Sequence, residues 1–321
     1  MNYGFIKVCA ATPEIKVADV QFNTRQIIKA IKQSAENGSQ LTVFPELCIC
    51  GYTCGDLFNQ PALLSACENA LGEIARATEG CATLVFVGAP LAVGNRLYNC
   101  AVAVSNGRIL GAVPKTFIPD YGEFYERRHF SPALSEDGIE IISLCGQNGV
   151  YFGTQIIFRA EELPDFAVAA EICEDLWAPQ SPSVTHTQAG ANIIVNLSCS
   201  DEVAGKAEYR RNLVKTQSAK LVCGYVYCDA GDGESTTDMV FAGHNIICEN
   251  GAVLAESKLF ENGLVYSEID VAYLASERRR ISSGYYGEQV DYFCVPFNTE
   301  TENVSLARVF SKTPFIPEEG A

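Results

Sequence analysis

The chain has 321 residues, of which 48% are hydrophobic and 10% aromatic, so it can bury a substantial core in one large domain or two ordinary ones. Its 39 acidic residues outnumber its 23 basic residues, and the formal charge of −16 disfavours nucleic acid and anionic membrane surfaces as partners, because both would repel it. A small zwitterionic substrate is compatible with this charge.

The start of the chain and its cysteines indicate a reduced, cytoplasmic protein. Residues 1–16 have neither the charged region nor the sustained apolar region of a signal peptide, and the apolar runs are short and interrupted. The 14 cysteines are scattered, and several lie in apolar runs where a thiol packs as a small hydrophobe. Cys48, Cys50 and Cys54 form a cluster, but the chain has three histidines and no second cysteine pair at ligand spacing. We expect no disulfides, no metal, and chemistry without histidine.

The first part of the chain alternates short apolar runs with longer amphipathic stretches. The runs FIKVCAA, LTVF and TLVFVGA predict strands. Helices are predicted between them, through Ile27, Ile28 and Ile31 and over residues 62–77. This order is typical of βαβ units.

Two antiparallel hairpins are predicted next. Asn106 and Gly107 mark the turn of the first, and Asn148 and Gly149 mark the turn of the second, because Asn-Gly pairs favour tight hairpin turns. Antiparallel strands therefore join the sheet.

The alternating pattern then resumes. The runs FAVAAEI, NIIVNLS and LVCGYVYC predict strands, with helices over 183–189 and 206–220. No repeat or Pro- or Gly/Ser-rich linker interrupts residues 1–275, which we interpret as one α/β domain with two sheets and helices outside. Residues 276–321, with a basic run and the strand candidate YFCVPF, are predicted to be a C-terminal extension.

Glu46 is the first candidate for catalysis. It follows LTVF and Pro45 at the carboxyl end of a predicted strand, where open α/β sheets place their sites. Pro45 cannot continue a strand ladder, which favours an abrupt end there. A carboxylate at this position is either a general base or a helix cap.

Cys173 is the second candidate. It ends the predicted strand FAVAAEI and is followed by Glu174 and Asp175, a position typical of a nucleophile. The alternative is an inert buried thiol, the usual state of a cysteine. A reactive thiol needs a base or a cation, and His186 has no matching acidic residue, so the base is expected to be another residue.

Lys115 is the third candidate. A strand is predicted to end at Val113, and the lysine begins a loop with two prolines and three aromatic residues. An ammonium in apolar surroundings is costly unless paired, so Lys115 is either an ordinary surface lysine or the partner of a carboxylate. Near Glu46 and Cys173 it could also stabilise an oxyanion.

Four separated segments carry a family resemblance: FPELCICGYTCGDLF, PKTFIPDYGEFYERRHF, EICEDLW and NLSCSD. They resemble the motifs of the nitrilase superfamily, whose members use Glu, Lys and Cys in that chain order. Within it they are similar to the glutaminase domains of glutamine-dependent NAD synthetases, and GESTTDMVFAGHN adds a softer match. The resemblance covers nearly the whole chain and implies an α-β-β-α sandwich.

The resemblance also implies roles for individual residues. Glu46 is expected to be the general base, Lys115 the oxyanion donor and Cys173 the nucleophile, with Glu123 as a second carboxylate that positions them. The other charges of that segment are expected to form solvated surface ion pairs: Glu126, Arg127 and Arg128.

For substrate binding, the family pattern implies Tyr121, Glu174, Ser200 and Lys206, whose polar groups suit the α-amino and α-carboxylate ends of glutamine. Lys206 departs from the arginine that related sequences often carry, and would hold a carboxylate as a point charge. Ser200 and Lys206 could equally begin and support the following helix.

The function implied is hydrolysis of glutamine to glutamate and ammonia through a cysteine thioester, with no cofactor. ATP and Mg would be needed only in a separate synthetase domain that uses the ammonia to amidate deamido-NAD, and residues 276–321 would include the start of a linker to it. Expected partners are glutamine, that domain and further copies of the chain. The alternatives are a free-standing amidase for another small ω-amide or carbamoyl compound, and a catalytically silent scaffold.

Overall fold

The computed structural model describes residues 4–133, 138–281, 291–300 and 304–313. In chain order the helices and strands are β1 (Phe5–Thr12), α1 (Val20–Glu36), β2 (Leu41–Val43), α2 (Pro61–Ala77), β3 (Leu84–Val93), β4 (Arg96–Ser105), β5 (Arg108–Pro114), β6 (Glu140–Leu144), β7 (Gln147–Phe152), β8 (Ile156–Ala160), β9 (Ala167–Ile172), α3 (Glu174–Trp177), α4 (Pro182–Gln188), β10 (Ile193–Ser198), α5 (Lys206–Leu221), β11 (Gly224–Asp229), β12 (Ile246–Glu249), β13 (Ala252–Glu256), β14 (Gly263–Asp270), α6 (Val271–Arg280) and β15 (Phe293–Phe297). Two short 3₁₀ segments add to these, at Tyr52–Asn59 and Glu126–Arg128.

The strands form two sheets that pack face to face between layers of helices. One sheet has the order β14-β1-β2-β3-β4-β5-β7-β6, and the other has the order β13-β12-β11-β10-β9-β8-β15. One apolar core lies between the sheets, a second beneath α1 and α2, and a third beneath α4 and α5. The predicted α-β-β-α sandwich is confirmed. In the described part of the chain no helix has the length and apolar character needed to span a membrane.

Strand β1 shows why the strands appear in the sequence as continuous apolar runs. Side chains alternate across a strand, so Ile6 and Val8 enter the core between the sheets, while Cys9 and Ala11 enter the core beneath the helices. Each central strand has two buried faces and needs apolar residues at successive positions.

The two predicted hairpin turns had different outcomes. Asn106 and Gly107, both at positive φ, join β4 to β5 as predicted. The turn predicted at Asn148 and Gly149 is wrong, because β6 turns into β7 two residues after Leu144, which pairs with Gln147.

A tertiary contact accounts for the displaced turn. The backbone N–H of Cys145 donates to a carboxylate oxygen of Glu68 in α2, at 3.0 Å, and Cys145 and Gly146 adopt the positive φ values that a tight turn requires. Asn148 lies within β7 and accepts a hydrogen bond from the Ser143 hydroxyl across the hairpin. The Asn148 side chain therefore makes a hydrogen bond between the two strands and does not form the turn.

The C-terminal extension packs on the domain wherever it is described. The predicted boundary after residue 275 falls inside α6, and β15 pairs in parallel with β8 at the edge of the second sheet. The strand predicted from YFCVPF is confirmed. The hydroxyl of Thr299 then donates to the carbonyl of Ala82, which carries the chain towards the first sheet. Residues 314–321, part of the extension predicted to include the start of a linker, lie outside the described residues.

Arg308 holds the last described segment. Its guanidinium donates to both carboxylate oxygens of Glu249, each at 2.9 Å, and to the carbonyl of Glu268, at 2.8 Å. The same group lies over the rings of Phe5 and Phe310. A bidentate, stacked arginine fixes position better than a lysine would.

We predict that Arg308→Ala releases residues 304–313 while the domain stays folded, because a partly exposed ion pair contributes at most about 1 kcal/mol. Chymotryptic cleavage after Phe310 should become several-fold faster, with little change in the thermal midpoint. Arg280→Ala, which removes an exposed pair with Glu277, is the matched control and should cleave like the wild type. Unchanged cleavage in Arg308→Ala would show that other contacts hold the segment.

His186 is a structural residue and connects α4 to the extension. Its Nε2 donates to the carbonyl of Ala170, at 3.1 Å, so its Nδ1 is the unprotonated nitrogen facing the Tyr292 hydroxyl, at 2.6 Å. Burial lowers the pKa of this histidine to about 4. The expectation that His186 is not the catalytic base agrees with this position.

The free energy of unfolding should fall as the pH drops from about 6.5 to about 4, because the unfolded chain binds a proton at His186 that the folded protein excludes. The shift corresponds to about 3 kcal/mol. His186→Gln should flatten this part of the pH dependence, measured by urea unfolding. His129→Gln, at a partly exposed histidine, should change it little, and equal slopes in wild type and His186→Gln would contradict the assignment.

Candidate active site

Glu46 lies where the chain leaves β2 and crosses β3. Phe44 still bonds to Phe86, and Pro45 then ends the pairing. A Cβ atom at Gly88 of β3 would lie 2.2 Å from the nitrogen of Leu47 and 2.5 Å from the carbonyl of Pro45. Glycine at this position lets the Glu46 backbone pass against the sheet, so the predicted strand-end location depends on a residue of the neighbouring strand.

The carboxylate of Glu46 is buried and held from three sides. Its Oε1 accepts hydrogen bonds from the Lys115 ammonium and from the Asn99 amide, both at 2.6 Å. Its Oε2 accepts the backbone N–H of Cys199 at 3.0 Å. These three hydrogen bonds fix the position of the carboxylate.

Lys115 follows β5, and its side chain is completely buried. The ammonium lies 2.6 Å from Glu46 Oε1 and 2.6 Å from Glu126 Oε1. Burial by itself would lower the pKa of Lys115, but Glu126 and Glu46 together raise it well above its usual value. Lys115 is therefore a permanent buried cation, and not the surface lysine of the alternative interpretation.

The second carboxylate of the site is Glu126, and the assignment to Glu123 is corrected. Glu126 is 4% exposed, contacts Lys115, and accepts a hydrogen bond from the Tyr52 hydroxyl at 2.9 Å. Glu123 is half-buried and makes no ion pair with Lys115 among the described residues. Glu126 begins a short 3₁₀ turn whose geometry directs it inward, which spacing along a loop does not reveal.

The prediction of solvated surface ion pairs in this segment is wrong for Glu126, which is buried, and fits Arg128. Arg128 forms an exposed ion pair with Asp56, at 2.8 Å, which fits a surface role. Burial and the neighbouring Glu46 raise the pKa of Glu126 to about 7, against the opposing effect of Lys115. The site thus contains two carboxylates and one ammonium, with one carboxylate titrating near neutrality.

Cys173 ends β9 in a strained conformation, with φ 43° and ψ −98°. Its N–H donates to the carbonyl of Leu197, at 3.0 Å, and to the side-chain oxygen of Asn196, at 3.2 Å, which holds the turn against β10. A non-glycine residue in the positive-φ region at a strand–helix turn is typical of a nucleophile elbow. Its 5% exposure leaves the thiol nearly enclosed.

The thiol is electrostatically coupled to the other two residues. Burial, and then Glu46, raises the pKa of Cys173 well above its usual value, while Lys115 acts to lower it. The thiol is therefore protonated at rest and needs a base to become a nucleophile. The three residues predicted from separate segments lie in one site.

Asp175 ties the lysine loop to the cysteine turn. One of its oxygens accepts the N–H groups of Thr116 and Phe117, at 3.2 and 2.8 Å, and the other accepts that of Ile172 at 2.9 Å. Burial raises the pKa of Asp175 to about 8, although these N–H donors oppose the shift. One carboxylate thus connects the residues that follow Lys115 with the residue before Cys173.

The predicted substrate residues are only partly brought together. The Tyr121 hydroxyl bonds to both carboxylate oxygens of Glu174, at 3.0 and 2.9 Å. The ammonium of Lys206 pairs with Asp201 and lies 5.9 Å from the ring centre of Phe124, which contacts Tyr121. These residues line one side of the site.

Ser200 is separate from this group. It is 2% exposed, its N–H donates to Asp229 at 2.8 Å, and its hydroxyl accepts from the buried guanidinium of Arg210 at 3.4 Å. It does not begin α5 either, because Gly205 precedes that helix. A direct role of Ser200 in substrate binding stays a prediction.

Two cavities adjoin residues of the site. A wide cleft of about 970 Å³ includes Tyr121 and Glu174 in its lining. A smaller cavity of about 190 Å³ lies against Tyr52 and Glu126.

Four further residues that organise the site escaped the sequence analysis: Tyr52, Asn99, Asp175 and Glu234. Three of them lie inside the motif segments, and Asn99 is a polar residue beside the apolar run AVAV of β4, which is a usable signal. Glu234 explains the GESTTDMVFAGHN segment, because its carboxylate accepts the N–H groups of Tyr52 and Thr53, at 2.7 and 3.1 Å, and caps the 3₁₀ turn that carries Tyr52.

Comparison with known proteins agrees with this geometry. The family model for carbon-nitrogen hydrolases matches residues 7–279. The glutamine-dependent NAD(+) synthetase of Mycobacterium tuberculosis (strain ATCC 25618 / H37Rv) is 37% identical over 99% of this chain, and the one from Homo sapiens is 30% identical over 86%. The chain spans 48% and 40% of these relatives, about half their length.

Solved structures give the same grouping. A glutamine-dependent NAD(+) synthetase from Cytophaga hutchinsonii superposes with a TM-score of 0.74 at 27% identity, covering 83% of this chain and 43% of that one. An amidase from Nesterenkonia sp. superposes with a TM-score of 0.65 at 18% identity, covering 87% and 97%, which shows a shared fold. The resemblance to the nitrilase superfamily is thereby confirmed, and the chain belongs to the carbon-nitrogen hydrolase family.

Proposed function

We propose that this chain hydrolyses the side-chain amide of glutamine to glutamate and ammonia, with Cys173 as nucleophile, Glu46 as general base and Lys115 as oxyanion donor. The observation that carries the proposal is the buried Lys115 ammonium, held by two carboxylates and coupled to a thiol at a strained strand end. The printed names of the relatives support glutamine as the substrate.

The first half-reaction forms a thioester. Glu46 takes the thiol proton, and the Cys173 thiolate attacks the δ-carbonyl carbon of glutamine. Lys115 and the backbone N–H of Glu174 stabilise the oxyanion, since Glu174 is the first residue of α3 and its N–H has no acceptor within the helix. The carbon–nitrogen bond then breaks, and ammonia leaves with the proton that Glu46 returns.

The second half-reaction hydrolyses the thioester. Glu46 accepts a proton from water, the resulting nucleophile attacks the thioester carbon, and glutamate leaves as the Cys173 thiol regains its proton. Burial keeps the thiol protonated between turnovers. Neither half-reaction needs a metal or an organic cofactor.

Substrate recognition rests on charge. Glu174 and the Tyr121 hydroxyl suit an α-ammonium, and Lys206 suits an α-carboxylate. Lys206 is a cation in the first turn of α5, where the helix dipole already favours negative charge, so an anion near this point is doubly stabilised. In the structure, Asp201 pairs with Lys206 and balances its charge. We keep Ser200 as a substrate residue on the family pattern.

For the whole protein, we propose that the ammonia amidates deamido-NAD to NAD in an ATP- and Mg-dependent synthetase domain of the same parent chain. The greater length of the relatives supports a second domain of this kind. Homo-oligomerisation and a cytoplasmic location stay predictions.

Cys173→Ala should fold and bind glutamine but lose ammonia release by at least about 10³-fold, because no other thiol can form the thioester. The measurement is ammonia release from glutamine, asparagine and simple amides. Cys248→Ala, at a buried cysteine of β12, is the control and should keep its activity. Preference for another amide would favour the free-standing amidase, and full activity in Cys173→Ala would overturn the nucleophile.

Glu126→Gln should lower kcat for glutamine by about 10²-fold, because it removes one of two charges that hold Lys115 in position. Glu123→Gln is the matched control and should stay within about twofold of wild type, since Glu123 makes no such contact. The measurement is steady-state ammonia release. A large loss in Glu123→Gln with little change in Glu126→Gln would show that Glu123 is the second carboxylate, as the sequence analysis predicted.

A further inference from the structure

Asn99 contacts three of the residues in the site, and the proposed reaction gives it no role. It lies in β4 opposite Pro90 of β3 and is 1% exposed. Its carbonyl accepts the backbone N–H of Lys115 at 2.8 Å. Its side-chain nitrogen donates to Glu46 Oε1 at 2.6 Å and to Glu126 Oε2 at 3.4 Å. One residue therefore contacts the lysine and both carboxylates.

The carboxylates determine how the amide is oriented. The opposite orientation would place the Asn99 carbonyl oxygen against two carboxylate oxygens, which cannot donate when ionised. With the nitrogen turned inward, each of its two hydrogens faces a different carboxylate. This is a pattern that an amide can supply and that leucine or aspartate at this position cannot.

The amide also compensates for an imbalance of charge. Two carboxylates share one ammonium, and the charge of Glu46 raises the pKa of Glu126 in this buried site. A neutral donor to both ionised forms offsets this repulsion without adding a charge. Asn99 bonds Glu46 Oε1, and within the described part of the chain Glu46 Oε2 accepts one hydrogen bond, from the N–H of Cys199, which leaves that oxygen a lone pair for a proton.

We propose that Asn99 is a positioning residue that holds Glu46 and Lys115 in the arrangement that activates Cys173, so that its loss moves the acidic limb of Cys173 reactivity to higher pH. The proposal uses the glutaminase reaction as its readout, but the charge pairing behind it does not depend on the substrate. Five titratable groups face Glu46, and they come from the four motif segments of the chain: Tyr52, Lys115, Glu126, Cys173 and Cys199.

The test compares Asn99→Leu, which removes the donor at similar volume, and Asn99→Asp, which adds a third carboxylate. Loss of a donor to the ionised form raises the pKa of a carboxyl group. The acidic limb of kcat/KM for glutamine should therefore move to higher pH by about one unit in N99L and further in N99D, with kcat/KM near pH 7 falling about tenfold or more.

Asn192→Leu is the matched control. Asn192 is another buried asparagine, bonded to the Asp165 carbonyl and to Arg278, and it lies at the opposite end of β10 from the residues that meet Glu46. Its replacement should lower the thermal midpoint without moving the acidic limb. If N99L does not fold, N99D decides, since aspartate matches asparagine in shape.

A second readout separates this proposal from the proposed function. Alkylation of Cys173 by iodoacetamide, followed by mass spectrometry against pH, requires no substrate and should show the same shift of the acidic limb. Suppose that the wild type hydrolyses no glutamine, but the acidic limb of Cys173 alkylation shifts in N99L. The proposed function is then wrong, and the proposed role of Asn99 is supported. Folded N99L or N99D with wild-type limbs in both assays would overturn that role, even if the thermal midpoint fell.

Discussion

The structure depends on burying the Lys115 ammonium between Glu46 and Glu126. Removing a charge from water is expensive, and breaking such a buried pair costs about 3–5 kcal/mol, so the local fold is stable only when the ammonium has carboxylate partners. The same arrangement keeps Lys115 charged. The contacts that stabilise the buried ammonium are thus the contacts of the residues proposed for catalysis, with Asn99 contacting all three residues.

The sandwich supplies the precision that this pairing needs. The parallel strands β9 and β10 are neighbours in one sheet and end at a common edge. The chain that leaves β2 in the facing sheet reaches this edge, where the N–H of Glu46 donates to the carbonyl of Ser198. Gly88 gives the Glu46 backbone room to cross β3, and Asp175 fixes the Lys115 loop to the Cys173 turn. These contacts hold the strained Cys173 conformation from both sides.

Two regions around the site differ in how firmly their side chains are held. The side proposed to bind the substrate combines an exposed tyrosine, a half-buried glutamate and a lysine paired with Asp201. The C-terminal extension, by contrast, is anchored by strand pairing, by Tyr292 at His186 and by Arg308 at Glu249. It forms part of the domain surface.

The sequence by itself determined the α/β class, the strand ends that carry Glu46 and Cys173, and the candidacy of Lys115, because strand periodicity and strand-end chemistry are local properties. It failed at Glu126, where a 3₁₀ turn decides which of two glutamates points inward, and at the second hairpin, where a contact with Glu68 selects the turn. The role proposed for Asn99 could not be predicted either, because it depends on contacts with Glu46 and Glu126. Tertiary packing decides which polar groups are buried next to each other, because burial and the distance between residues far apart in sequence are set only when the chain folds.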